Sequence, residues 1–230
     1  LHDLTYSLQM IGESDSTLEL LREYEESFIK DPRFPALKSD ILALNLQYGE
    51  ALDCLRPILK KMEYTDDLFN VENASQGDLL DQDHTDYSHA GIYWRAAQLE
   101  RATGDLLQAQ KHAEQALDAC PTQLKYLKLS VELAFETLQK DKMRSLIERM
   151  LSAINDPTAS QIEPYTEIIN MRCELAILED DHETASKLLD QYLSNLPSTP
   201  YSLALQSQLA DYYNEKKLSD TYFTEAQSMF

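Results

Sequence analysis

The tightest constraint on this chain is the stretch 87–121, where two helical periodicities flank a Gly-Asp break and end at a proline. Ile92, Ala96, Leu99 and Ala102 recur three and four residues apart. Leu106, Ala109, Ala113, Ala116 and Leu117 do the same after Gly104-Asp105. Residues at these separations share one face of a helix. Gly ends a helix at low cost because it tolerates positive φ, and Pro121 cannot continue the second one. The stretch therefore predicts helix, tight turn, helix, stop. Alanines on facing stripes let two antiparallel helices approach closely.

Weaker copies of this pattern cover most of the 230 residues. The prolines that close the second helices, Pro121, Pro157 and Pro197, stand 36 and 40 residues apart. In 140–157 the small residues of the frame are read as Ser145 and Ser152, and in 180–197 the packing positions as Ala185, Leu189 and Tyr192. Upstream, Pro35 to Leu46 and Tyr48 to Leu59 read as a pair, preceded by helices at Leu4–Ile11 and Ser16–Ile29. Leu209 to Tyr213 begins the last pair, with Lys216-Lys217 as the turn and Leu218–Phe230 as the final helix. Only 5 Gly and 8 Pro interrupt a chain rich in good helix formers.

The spacing Gly104, Ala109, Ala113, Ala116, Pro121, with Trp94 and Ala97 upstream, resembles the tetratricopeptide repeat. The resemblance implies an all-α fold: an α-solenoid, a right-handed superhelix of about six antiparallel helix pairs. The expected organisation is N-terminal pairs over 1–62, an insertion at 63–87 and further pairs over 88–230, in one continuous stack. The insertion holds eight acidic residues and neither Lys nor Arg. It accounts for the roughly 22 extra residues in the 58-residue interval from Ala51 to Ala109, measured against the next interval of the repeat. In repeat arrays such insertions map to loops on one face, and a solvated acidic loop is the simplest reading.

Forty acidic residues against 20 basic give a net charge of −20. That surface repels nucleic-acid phosphates and anionic lipid, and favours a basic or polar protein segment as partner. No apolar run reaches the length of a membrane span. Cys54, Cys120 and Cys173 lie far apart, which suits reduced thiols and a cytoplasmic setting better than a disulfide framework.

No constellation points to catalysis. Asp81, Asp83, His84, Asp86 and His89 fail the calcium-loop spacing, since Ile92 stands where the closing Glu belongs. Asn73-Ala74-Ser75 matches the glycosylation pattern, which is common by chance. Phosphate-loop, serine-elbow and zinc-helix motifs are all missing, so neither an enzyme nor a cofactor or metal site is expected.

If 87–102 is the inner helix of its pair, Trp94, Gln98 and Arg101 share one face. The resemblance implies that this face lines a concave groove. The same frame continues through Leu127, Ser130 and Ala134, then Glu167, Asn170 and Glu174. Trp94, Gln98, Arg101, Asn170 and Glu174 are the expected contacts for a partner segment, although Trp94 could equally pack between repeats. The family's clamp for a terminal carboxylate does not carry over, because Leu127, Ser130 and Glu167 occupy its basic positions. The expected function is a non-catalytic interaction scaffold or adaptor. The alternative is a regulatory or sensor module of a longer protein, suggested by a first residue other than Met.

Overall fold

The computed structural model describes residues 12, 14–28, 31, 33–62, 88–154, 162–193 and 198–229. Among them the regular structure is entirely α-helical. In chain order the helices are α1 (Ser14–Phe28), α2 (Phe34–Leu44), α3 (Tyr48–Met62), α4 (His89–Thr103), α5 (Leu106–Ala119), α6 (Leu124–Glu136), α7 (Lys140–Ala153), α8 (Ile162–Leu178), α9 (His182–Leu193), α10 (Pro200–Tyr212) and α11 (Lys216–Ser228). Among the described residues five helix–turn–helix pairs follow α1; the expected helix at 4–11, all of 63–87 and Pro157 and Pro197 lie outside the described residues.

All five pairs turn in the same way. A single left-handed residue follows each first helix: Leu46 (φ 61°), Gly104 (87°), Leu138 (54°), Asp180 (61°) and Asn214 (62°). In every case the next amide donates to a carbonyl five residues back: Gln47 to Leu42, Asp105 to Glu100, Gln139 to Ala134, Asp181 to Ala176 and Glu215 to Ala210, at 2.8–2.9 Å. This six-to-one bond satisfies a carbonyl that the helix end would otherwise leave open. Side-chain caps start several helices. Ser88 accepts from the Gly91 amide, Asp105 from Gln108 and Asp181 from Thr184. Thr199 and Ser202 form a reciprocal capping box around Pro200.

The turn residues set the packing register. Five, nine and twelve residues after them come Ala51, Leu55 and Ile58; Ala109, Ala113 and Ala116; Met143, Ile147 and Met150; Ala185, Leu189 and Tyr192; and Ser219, Phe223 and Ala226. All are buried except Phe223, which is 54% exposed. Gly104 and Leu138 stand 34 residues apart, as do Asp180 and Asn214, which is the ideal repeat length. The expected Ser145 and Ser152 are exposed, so the frame in α7 is carried by Met143, Ile147 and Met150. The last turn falls at Tyr213-Asn214, and Lys216 and Lys217 already belong to α11. Tyr213 is exposed beside that turn.

The chain divides into two compact units, residues 1–133 and 134–230. In the first, Leu21 packs with Phe34, Leu37 and Ile41 between α1 and α2, and the Phe28 and Phe34 rings stack at 6.1 Å. Ala51, Leu55, Ile58 and Met62 of α3 then share a core with Ile92, Ala96 and Leu99 of α4. Packing thus continues directly between the helices on either side of residues 63–87. Ala97, Ala109, Ala113, Leu129 and Leu133 join α4, α5 and α6. In the second unit Ile169, Cys173, Ala185, Leu189, Tyr192, Leu205 and Leu209 join α8, α9 and α10. Each large apolar side chain buried this way contributes roughly 1.5–3 kcal/mol.

Candidate protein-interaction face

In the first unit, polar side chains of the first helices α2, α4 and α6 meet one another. Arg95 on α4 is 4% exposed; its Nε donates to Asp40 Oδ1 on α2 at 2.8 Å, and Nη1 donates to the Gly91 carbonyl at 3.3 Å. Arg101, further along α4, pairs with Glu132 on α6. Trp94 on α4 lies against Tyr126 on α6, with ring centroids 6.2 Å apart. Lys125 Nζ stands 5.2 Å from the Trp94 ring centre and 5.3 Å from that of Tyr126, a cation–π arrangement shared by two rings. Trp94 is half-buried, and its indole N–H is buried without a hydrogen-bond partner. Its ring packs against the next first helix, and the residue is only partly covered.

Gln98 is exposed and lies beside Arg95 along a cavity of about 230 Å³ between α2 and α4. Trp94, Gln98 and Arg101 therefore occupy one face of α4, among Asp40, Lys125, Tyr126 and Glu132, which sequence reasoning did not single out. Counting back from the turns would have found some of them. The residue six positions before each left-handed residue is Asp40, Gln98, Glu132, Glu174 or Gln208, a carboxylate or carboxamide in every pair. None of the five is buried. The expected Leu127, Ser130 and Ala134 are buried core residues instead, because α6 is offset from the register assumed for it.

In the second unit Glu174 on α8 is half-buried and accepts from the Tyr201 hydroxyl on α10. Asn170, one turn earlier, is 3% exposed, and its Oδ1 has no hydrogen-bond partner. Both keep the register of Trp94 and Gln98, standing ten and six residues before their own turn. Arg144 on α7 pairs with Asp141 at 3.1 Å and with Glu179 just after α8.

His89 begins α4, whereas the other members of the acidic-histidine set lie outside the described residues, as does Asn73. Among the described residues no three His, Cys, Asp or Glu side chains gather as a metal site. No described helix is long and apolar enough to cross a membrane.

No protein-family model and no curated protein matches the sequence. Solved structures do match in three dimensions. The pilF structure from Pseudomonas aeruginosa aligns over 100% of this chain and 90% of its own, at TM-score 0.67 and 11% identity. A tetratricopeptide repeat protein from Parabacteroides merdae aligns over 99% and 91%, at TM-score 0.55 and 14% identity. A thermophilic tetratricopeptide repeat protein from Thermus thermophilus aligns over 98% and 96%, at TM-score 0.52 and 14% identity. Likeness at such identities speaks to architecture, and with the recurrent turns and the 34-residue register it gives the conclusion that this chain has the tetratricopeptide-repeat fold.

Proposed function

We propose that this chain is a non-catalytic interaction scaffold that holds a protein or peptide segment along the faces of its first helices. The supporting observation is a carboxylate or carboxamide, not fully buried, six residues before each turn: Asp40, Gln98 and Glu132 in the first unit, and Glu174 and Gln208 in the second. Core packing does not require a polar group there, whereas a bound segment needs acceptors for its amides and side-chain donors. Trp94 and Arg101 complete the contact set of the first unit, with the indole as the aromatic anchor, whereas Asn170 of the second unit is too buried to be a direct contact. Rigid helices carry these groups, so little ordering cost falls on the receptor. The −20 charge favours a basic or polar segment and speeds its encounter.

The test replaces three of these acceptors by lysine, Gln98→Lys, Glu174→Lys and Gln208→Lys, in one chain. Capture of partners on the immobilised protein is then quantified beside wild type. The expected result is at least a tenfold fall in captured partner with unchanged helicity. Undiminished capture by a folded variant contradicts the proposal.

A further inference from the structure

The cavity between α2 and α4 is lined by Ser39, Asp40 and Ala43 from α2, Tyr48 at the start of α3, and Arg95, Gln98 and Leu99 from α4. We propose that it is a specificity pocket for a primary carboxamide, the side chain of an Asn or Gln in the partner segment. This rests on the reading of the first-helix faces as the docking surface, and adds which side chain the surface selects.

The argument begins with Ser39. It is 1% exposed, and its hydroxyl has no hydrogen-bond partner. A buried polar group left unmatched is costly, and such groups in native proteins call for an explanation. Here the hydroxyl borders a space of about 230 Å³, large enough for one side-chain amide. Around it stand a carboxylate, a guanidinium and the Gln98 amide, so donors and acceptors are both present.

Charge decides among ligands. Asp40 and Arg95, both in the lining, neutralise each other. A ligand carboxylate would meet Asp40 and the −20 field of the chain, and a ligand ammonium, although drawn to the chain by that field, would meet Arg95 within the cavity. An apolar side chain would leave the Ser39 hydroxyl unmatched. A carboxamide carries no net charge and offers two donors with one acceptor, which matches this mixed lining.

The experiment titrates the isotope-labelled full chain with four pentapeptides identical except for a central Gln, Glu, Lys or Leu, followed by amide chemical shifts. The expected result is shifts at Ser39, Asp40 and Gln98 with the Gln peptide, binding about tenfold or more tighter than the Leu peptide, as two added hydrogen bonds allow. Ser39→Ala with Gln98→Ala should reduce the Gln peptide to the level of Leu. Equal affinity for all four peptides at these residues overturns the pocket. Shifts confined to Trp94, Arg101 and Lys125 overturn the pocket and leave the docking face standing. A peptide set that moves neither group of residues counts against both.

Discussion

Arg95 on α4 and Asp40 on α2 form a short ion pair, 2.8 Å from Nε to Oδ1, between residues that lie 55 apart on either side of the acidic insertion. The guanidinium is 4% exposed, so it depends on this carboxylate and on the Gly91 carbonyl in place of water. The pair fixes the two first helices that flank the proposed carboxamide pocket.

Removing one partner should therefore be costly. Arg95→Ala leaves Asp40 beside an emptied site, and destabilisation of about 2–3 kcal/mol is expected in urea unfolding. The double replacement Asp40→Leu with Arg95→Met should recover most of that loss, because two apolar groups remove both desolvation costs. A double variant no more stable than Arg95→Ala would show that packing, not charge pairing, sets the effect.

Leu46 and Leu138 occupy left-handed turn positions and are 72% and 67% exposed. A branched side chain is strained there, and neither leucine contributes core burial in exchange. Leu46→Gly and Leu138→Gly should each raise stability by about 0.5 kcal/mol, net of the added chain entropy of glycine in the unfolded state. Thermal melts of the two variants check this, and a loss of stability at both would refute the strain argument.

Ala113 and Ile147 hold equivalent positions nine residues after their turns, and both are buried. Ala113→Ile should cost about 1–3 kcal/mol by overpacking against Leu129 and Leu133. Ile147→Ala should cost about 2–4 kcal/mol by opening a cavity. Opposite volume changes at one register would then both destabilise, as measured by denaturant midpoints.

Cys173 is buried in the second unit against the Ala185 carbonyl, and burial pushes its thiol pKa up to about 12. It should resist alkylation at pH 8 in the native protein, while exposed Cys120 reacts. The sign of the linkage follows from protons bound. Between the ordinary thiol value of 9.0 and about 12, the unfolded chain holds fewer protons than the folded one. Stability therefore falls as pH rises through that window, by up to about 1.4 kcal/mol per pH unit, and is unaffected below it. Cys173→Ala should remove this component of the alkaline loss, which pH-dependent unfolding curves of the two proteins would show.

How much of this could be read from residues alone depended on which side chain happened to fill each frame position. The α4–α5 pair was legible because Gly104 takes the left-handed turn and three alanines mark the packing stripe. In α6–α7 the same geometry is built from Leu138, Met143, Ile147 and Met150, none of which announces a turn or a close approach. The nearby serines drew the frame two residues away, although helix packing needs complementary volume more than small size. That offset also moved the groove reading in α6 onto buried Leu127, Ser130 and Ala134. Asp40 escaped notice because its partner Arg95 lies 55 residues away, and no local pattern connects them.

Cross-linking of a captured partner tests the proposed docking face most directly. Lys125 and Lys128 lie on the first helix α6, whereas Lys60, Lys61 and Lys111 lie on the second helices α3 and α5. With a lysine-reactive cross-linker and peptide mapping, the partner is predicted to join mainly at Lys125 and Lys128, and to lose those links in the Gln98→Lys, Glu174→Lys, Gln208→Lys chain. Links concentrated at Lys60, Lys61 and Lys111, and unchanged in that variant, would contradict the account.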